Sequence, residues 1–267
     1  MTRLTIATWN INSLRLRQDH LLTVTDALAP DVLCLQETKV PDDQFPHAIA
    51  ARIGLPHVLM RGMRSYNGVA IFSRYPLTLA DQGGAWCGKN DCRHLAASLT
   101  LNGQTITIDN FYVPAGGDIP DRRENEKFAH KLDFITETRD YFRTHPPQRR
   151  ILVGDLNIAP LEHDVWSHKQ LLDVVSHTPI ETDLLLDWQA QGFTDALRHF
   201  TPEPAKLYTW WSYRNRDWRA SNRGRRLDHI WVSTDLRPAL RATQILTDAR
   251  DWPSASDHVP VALTLAL

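Results

Sequence analysis

The sequence has 267 residues, of which 42% are hydrophobic and 23% are charged, values typical of globular proteins. This composition excludes a disordered, a collagen-like and a coiled-coil chain, and the length suffices to bury a substantial core. Thirty basic side chains nearly balance 31 acidic ones, so net charge neither favours nor excludes a polyanionic partner.

The first predicted strand covers residues 3–10, in which Leu4 and Ile6 point to one side and Ala7 and Trp9 to the other. A helix begins at Leu14 and ends before Pro30. Further predicted helices cover 121–143 and 166–191. Further predicted strands cover 31–36, 69–73, 96–101, 105–112, 151–153, 208–213, 227–232, 242–247 and 259–267.

Two Asn-Gly pairs predict turns, Asn67-Gly68 and Asn102-Gly103, the second within a hairpin. Strands outnumber helices, and hairpins mix with helical crossovers, a pattern that favours an α/β sandwich. The sequence shows no repeat, low-complexity tract or linker, so we expect a single domain over residues 1–267.

Three cysteines are too few for a disulfide framework and favour a reducing compartment. The sequence shows neither a signal-peptide pattern nor an apolar run long enough for a membrane helix. We therefore expect a soluble, cytoplasmic protein without membrane contact.

Polar residues occur where predicted strands end or begin, the position at which α/β sheets present their sites. They are Asn10, Glu37, Tyr112, Asp155, Asn157, Asp228, Asp257 and His258. Carboxylates, amides, a histidine and a tyrosine suit metal-assisted phosphoryl transfer, and oxygen ligands suit Mg²⁺ or Mn²⁺. Each residue alone is more typical of an ordinary turn than of a functional site.

Seven ordered blocks give these positions a common interpretation. They are Trp9–Asn12 (WNIN), Leu35–Thr38 (LQET), Asn67–Ile71 (NGVAI), Tyr112–Pro114 (YVP), Gly154–Pro160 (GDLNIAP), Arg226–Asp228 (RLD) and Ser256–Val261 (SDHVPV). From residue 3 to residue 266 the chain resembles the exonuclease III family of exodeoxyribonucleases and abasic-site endonucleases, within the endonuclease/exonuclease/phosphatase superfamily. The resemblance implies a four-layer αββα sandwich of two mixed sheets flanked by helices.

The resemblance also implies a role for each residue. Glu37 is the principal Mg²⁺ ligand, with Asn10 alongside and Asp257 close by. Asp155 prepares the attacking water and Asn157 orients that water or the phosphate. The carboxylate of Asp228 fixes the ring of His258, which faces a phosphate oxygen. Tyr112 lies near the leaving group, whose proton comes from Asp155, Tyr112 or a metal-bound water.

The segment 208–226 holds six arginines and five aromatic residues against one acid, Asp217. Arginine interleaved with aromatic rings suits phosphate contacts and stacking on DNA, although an exposed basic loop with partly buried tryptophans has the same composition. By resemblance, Trp210 and Leu227 line the pocket for a baseless sugar, while Trp211 packs inward. The predicted DNA-binding residues are Trp210, Tyr213, Arg214, Arg223 and Leu227.

Two residues depart from the family pattern. Ala115 stands where the family usually has Asn or Gln, and Arg225 stands where it often has an apolar residue. Both positions concern the DNA strand and the pocket wall, so the balance between exonuclease and abasic-site activity stays open.

Two other groups, one of cysteines and one of histidines, are candidates for a metal site. Cys87 and Cys92 have the wrong spacing for a zinc knuckle, so a reduced surface loop is expected. His163, His168 and His177 are typical of the surface of a helix more than of a ligand cluster.

The expected function is a Mg²⁺-dependent DNA-repair phosphodiesterase, for which Mn²⁺ is a second possible ion. It would cleave double-stranded DNA 5′ to abasic sites and remove nucleotides or blocking groups from 3′ ends, as a monomer. One alternative is a phosphatase of the same superfamily acting on a small or lipid phosphate. Another is a catalytically silent DNA-binding relative, disfavoured because Glu37, Asp155 and His258 are all present.

Overall fold

Two six-stranded sheets form the centre of the computed structural model, which describes residues 2–80, 85–215 and 217–267. The first sheet has the strand order β11-β12-β1-β2-β4-β3. Its strands are β1 Arg3–Asn10, β2 Val32–Gln36, β3 His57–Met63, β4 Tyr66–Ser73, β11 Leu240–Ile245 and β12 Val261–Ala266. β1 and β2 pair in parallel and the other neighbours are antiparallel.

The second sheet has the order β5-β6-β7-β8-β10-β9 and is built in the same way. Its strands are β5 Thr78–Leu79, β6 His94–Leu101, β7 Gln104–Tyr112, β8 Arg150–Asp155, β9 Phe193–Asp195 and β10 Asp228–Ser233. Here β7 and β8 form the parallel pair. Each sheet therefore carries two parallel strands near its middle, whose carboxyl ends lie at one edge.

Helices pack around the two sheets. They are α1 Leu14–Arg17, α2 His20–Leu28, α3 Ala48–Arg52, α4 Glu126–Thr144, α5 His168–Leu171, α6 Pro179–Gln189, α7 Ala196–Phe200 and α8 Trp218–Ser221. The outer face of the first sheet packs on α1, α2 and α3, and that of the second sheet on α4 and α6. The predicted four-layer αββα sandwich is confirmed.

The inner faces of the sheets share one apolar core, to which Leu4 and Ile6 of β1 and Ile151 and Val153 of β8 contribute. The alternation predicted for residues 3–10 is confirmed, because Ala7 and Trp9 belong to the helix-covered face. Polar contacts also cross the core, at the end where β2 and β7 finish. Gln36 Nε2 donates to Asn110 Oδ1 at 2.7 Å. Because buried polar groups need hydrogen-bond partners, this pair helps to fix the position of one sheet relative to the other.

Several predicted elements differ from the structure. The helix predicted from Leu14 is two helices, α1 and α2, and the helix predicted over 121–143 begins at Glu126. Asn67-Gly68 lies inside β4, and the chain turns instead at 64–65. A Cβ on Gly68 would lie 2.2 Å from Thr38 Oγ1, so glycine serves a close approach there. The strand predicted over 208–213 is absent as a regular strand. Only Trp210 forms β-bridges there, one to Arg225 and one to His258.

The predicted helix 166–191 is two helices, α5 and α6, separated by an irregular segment. Thr178 and Glu181 form a capping box, and Pro179 occupies the first turn of α6. Proline tolerates that position because it lacks the N–H that would be unpaired there. Thr178, Pro179 and Glu181 are therefore sequence features typical of a helix start.

Candidate active site

The strand topology brings the predicted site residues to one edge of the sandwich. Asn10 ends β1 and Glu37 follows β2, its parallel neighbour. Tyr112 and Asp155 end the parallel pair of the second sheet and lie opposite each other. β10 runs antiparallel to β8, so its first residue, Asp228, also lies opposite Asp155.

Asn10 joins the two sheets at this edge. Its Nδ2 donates to Glu37 Oε1 at 2.9 Å and to Asp155 Oδ2 at 2.8 Å. Its Oδ1 accepts from the backbone N–H of Asn12. An amide oxygen has two lone pairs, so Asn10 retains an acceptor site for a cation. Tyr112 completes the group by donating its hydroxyl to Glu37 Oε1 at 2.8 Å.

A second chain of contacts runs through His258. Its Nδ1 lies 2.8 Å from Asp228 Oδ2, and its Nε2 lies 3.6 Å from Asp155 Oδ2. Thr209 donates its hydroxyl to the same Asp228 oxygen at 2.6 Å. Since a carboxylate only accepts, Nδ1 of the ring carries a proton. The arrangement directs Nε2 towards Asp155 and the cleft.

Burial and neighbouring charges shift the pKa values of this chain. Burial alone would lower the pKa of His258, but the carboxylates of Asp228 and Asp155 outweigh it and raise the pKa. The ring is therefore a cation at neutral pH. Burial raises the pKa of Asp155; the imidazole opposes this rise and Asp228 adds to it. Asp155 is thus a stronger base than an exposed aspartate.

Asn157 is held by three hydrogen bonds, two to Asp155 and one to Val113. Its backbone N–H donates to Asp155 Oδ1 at 2.9 Å, and its Nδ2 donates to Val113 O and Asp155 Oδ2. Both Asn157 and Glu37 have positive φ angles, 54° and 52°. Such a conformation costs about 1–3 kcal/mol per residue and is held only where the surroundings enforce it.

The acidic residues fit a hard divalent cation. Burial opposes ionisation of Glu37, but hydrogen bonds from three neighbours outweigh it and lower its pKa. Glu37 is therefore an anionic oxygen ligand at neutral pH, as Mg²⁺ and Mn²⁺ require. Asp257 presents another carboxylate to the cleft, oriented by Trp210 Nε1 and Asn12 Nδ2.

A nearby acidic group offers another candidate ligand set. Within the described part of the chain, ligand atoms of Asp155, Asp228 and His258 lie within 4.8 Å of one another. We interpret this trio as the chain of contacts through His258 described above, because His258 Nδ1 and Asp228 Oδ2 already satisfy each other.

A cleft of about 650 Å³ opens over these residues. Of the predicted DNA-binding residues, Trp210, Arg214, Arg223 and Leu227 line it. Tyr213 does not line it; its hydroxyl donates to Ala255 O, and its side chain is half exposed beside the cleft. The cleft thus combines an acidic floor with an aromatic and basic wall.

The arginines of segment 208–226 fall into two groups. Arg219 pairs with Asp248 and Asp251, and Arg226 pairs with Asp164 and Asp195. By contrast, three arginines line the cleft and form no ion pair with any described residue: Arg214, Arg223 and Arg225. Arg216 lies outside the described residues. Unpaired cations in a cleft suit a polyanionic ligand.

The aromatic residues of the segment also divide. Trp211 and Trp218 are buried and pack together, which confirms the inward packing predicted for Trp211. Trp210 is only partly buried and carries Arg225 over its ring at 5.3 Å. Its indole therefore borders both the cleft and Asp257.

The other candidate groups are not placed in the cleft. Cys87 and Cys92 are free, partly exposed thiols. The surface location expected for the histidines is wrong for His177, which is buried and bonded to Ala159 O and to His168 Nδ1. The irregular segment before α6 turns that ring inward.

Two supporting residues were not predicted. Lys39 Nζ lies 2.8 Å from Glu37 Oε2, and Thr209 holds Asp228. The spacing of Glu37 and Lys39 does not signal the first contact, because both residues have positive φ angles, 52° and 54°, and the segment is not extended. No local pattern signals Thr209, which approaches Asp228 from a distant segment.

Comparison with known proteins adds independent information. Residues 7–258 match the model of the Endonuclease/Exonuclease/phosphatase family. The chain is 30% identical to exodeoxyribonuclease III of Haemophilus influenzae, over 95% of this chain and 96% of that protein.

Solved structures agree. An AP endonuclease from Archaeoglobus fulgidus has a TM-score of 0.88 and 30% identity, covering 99% of this chain and all of the other. A Neisseria 3′ phosphatase bound to a product DNA hairpin has a TM-score of 0.88 and 29% identity, with the same coverage.

Proposed function

Because the chain belongs to the endonuclease/exonuclease/phosphatase family, we propose that it is a Mg²⁺-dependent DNA-repair nuclease of the exonuclease III type. It cleaves double-stranded DNA 5′ to abasic sites and removes nucleotides or blocking groups from 3′ ends. Mn²⁺ can replace Mg²⁺, since the same oxygen ligands suit both ions.

The observation that carries this proposal is the meeting of two features in one cleft. The charged chain of Asp155, His258 and Asp228 lies on its floor, and Trp210 with arginines that form no ion pair with described residues makes up its wall. A small phosphate needs no such wall, whereas a DNA strand offers several phosphates and bases or sugars to stack. The similarity to exodeoxyribonuclease III and to a DNA-bound 3′ phosphatase supports the same substrate.

The reaction is hydrolysis of a P–O3′ bond by water. The carboxylate of Asp155 takes the proton from the attacking water, and Asn157 and Asn10 hold that carboxylate in place. Its raised pKa makes it a better proton acceptor near neutral pH. The water oxygen then bonds to phosphorus as the bond to the 3′ oxygen breaks.

His258 opposes the charge that grows on the phosphate. Its protonated ring donates Nε2–H to a non-bridging oxygen, while Asp228 keeps the ring charged and oriented. One such donor contributes a factor of about 10²–10³ in rate. Glu37, Asn10 and Asp257 are the residues that would hold the divalent cation, which when bound neutralises phosphate charge.

The leaving 3′ oxygen takes its proton from water in the cleft. In an in-line displacement the leaving oxygen lies opposite the attacking water, and therefore away from Asp155. Burial, followed by the charge of Glu37, raises the pKa of the Tyr112 phenol well above its usual value. The Tyr112 hydroxyl already donates its proton to Glu37 Oε1, so Tyr112 serves to position Glu37.

The proposal includes the state of the protein. All the proposed catalytic and metal-binding side chains come from one chain, and both sheets contribute to them. We therefore propose that residues 1–267 act as a single domain and as a monomer. No helix among the described residues is long and apolar enough to cross a membrane.

The proposal is tested with an end-labelled duplex that contains one tetrahydrofuran abasic analogue, beside an intact duplex. We expect a nick 5′ to the analogue with Mg²⁺ or Mn²⁺ and none with EDTA, and slow shortening of 3′ ends. Asp155→Asn should abolish the nick while the duplex is still bound, as measured by fluorescence anisotropy. Absence of cleavage of either duplex, together with hydrolysis of small phosphomonoesters, would replace the nuclease with the phosphatase alternative.

A further inference from the structure

The wall of the cleft carries a charged residue where an apolar pocket would be expected. Arg225 pairs through its backbone with Trp210, and its guanidinium lies over the Trp210 ring at 5.3 Å. Leu227, two residues further on, lines the same cleft. The guanidinium therefore lies in the part of the cleft where the proposed function places the group beyond the scissile phosphate.

The guanidinium of Arg225 forms no ion pair with any residue that the structure describes. Its Nη1 donates to Val175 O at 3.1 Å and to Ser176 Oγ at 2.7 Å, both neutral oxygens. Its buried Nε has no hydrogen-bond partner among the described residues. Burial lowers the pKa of Arg225, and the charge of nearby Glu181, which is already paired with Lys131 Nζ, opposes this only in part.

The adjacent residue shows what a structural arginine looks like in this fold. Arg226 is fully buried, yet its guanidinium is enclosed by the carboxylates of Asp164 and Asp195. A half-buried cation left without such a partner is destabilising unless a ligand supplies the anion. The difference between Arg225 and Arg226 thus points to an anionic ligand group beside Trp210.

We propose that Arg225 is a specificity-determining residue that favours 3′ ends carrying an added anionic group over internal abasic sugars. The inference rests on the proposed function and deepens it. In a 3′-phosphoglycolate end, a carboxylate lies one carbon beyond the phosphate ester, where an internal site would have its neutral sugar. The guanidinium and the carboxylate form charge-assisted hydrogen bonds that the sugar cannot make.

The experiment compares kcat/KM on two duplexes, one with a 3′-phosphoglycolate end and one with an internal tetrahydrofuran. A 3′-phosphate duplex forms a third arm that separates a carboxylate from a phosphate oxygen as the recognised anion. Arg225→Met keeps the length of the side chain and removes its charge. We expect its preference for the phosphoglycolate over the tetrahydrofuran duplex to fall about 10- to 100-fold.

Two further variants control for folding and for general charge. Arg225→Lys keeps the charge without the planar fork and should retain part of the preference. Arg219→Met removes an exposed arginine of the same segment that stacks on Trp218, outside the cleft, and should keep the wild-type ratio. Thermal unfolding of each variant shows whether it is folded.

The outcomes separate this inference from the proposed function. Equal losses on both duplexes in folded Arg225→Met would overturn the specificity role while the nuclease assignment stands. The specificity role would also be overturned, and the nuclease assignment kept, if the wild type and Arg225→Met both preferred the tetrahydrofuran duplex to the same extent. A wild type that cleaves no duplex would overturn the nuclease assignment and the role of Arg225 with it.

Discussion

The buried His229 makes stability depend on pH in a direction that the structure defines. Its Nε2 lies 2.8 Å from Ile158 O, and its Nδ1 lies 2.9 Å from Arg226 Nη1. A carbonyl only accepts and a guanidinium only donates, so the ring is neutral with its proton on Nε2. Burial, together with the charge of Arg226, lowers the pKa of His229 from its ordinary 6.5 to about 4.

The sign of the effect follows from proton counting. Between pH 6.5 and pH 4 the unfolded chain binds a proton at this position and the folded chain does not, so stability falls as pH falls. Each pH unit in this window is worth about 1.4 kcal/mol, which gives a loss of about 3 kcal/mol from the ionisation of this one ring. Above pH 6.5 the ring is neutral in both the folded and the unfolded chain, so its ionisation no longer lowers the free energy of unfolding.

The assay is urea unfolding of the wild type and of His229→Gln at several pH values from 4 to 7. Glutamine cannot be protonated, so its curve lacks this one term. We expect the wild type to be the more stable protein at pH 7 and its advantage to shrink by about 3 kcal/mol at pH 4. His145→Gln, at an exposed histidine, controls for the loss of an imidazole. Parallel curves for wild type and His229→Gln, or an advantage that grows in acid, would refute the reasoning.

Three further predictions concern the cleft. Asp228→Asn should slow single-turnover cleavage about 10²–10³-fold, because the His258 ring loses the carboxylate that keeps it charged. The alkaline limb of the pH–rate profile should then move to lower pH, and an unmoved limb would contradict this role. Trp210→Ala should impair nicking at an abasic analogue far more than hydrolysis of a small chromogenic phosphodiester, whereas equal losses would make the ring merely structural. Glu37→Gln should raise the Mg²⁺ concentration needed for half-maximal cleavage about tenfold or more while duplex binding persists, and an unchanged metal titration would remove Glu37 from the metal site.

Local sequence patterns predicted much of the fold. The alternation in residues 3–10 and the Asn102-Gly103 hairpin correspond to β1 and to the connection between β6 and β7. Asn67-Gly68 misled because the same residue types that form turns also allow two segments to approach closely. The single bridges at Trp210 depend on partners that are distant in sequence, and the alternation of apolar and polar residues within 208–213 cannot show them.

The prediction that polar residues at strand ends share one site agrees with the geometry, because parallel strands bring their carboxyl ends together. Their roles stay predictions. The pairing of Arg226 and the absence of an ion pair at Arg225 could not be predicted, since both depend on acids that lie far away in sequence.

The position of β12 has a consequence for the order in which the protein is made. β12 lies between β1 and β11, and Asp257 and His258 come just before it. The indole of Trp9, in the first strand, donates to the backbone oxygen of His258. During synthesis, β1 must therefore wait for residues 261–266 before its open edge is paired and His258 is held in place. Until then His258 cannot reach Asp228 and Asp155, so the proposed site stays incomplete.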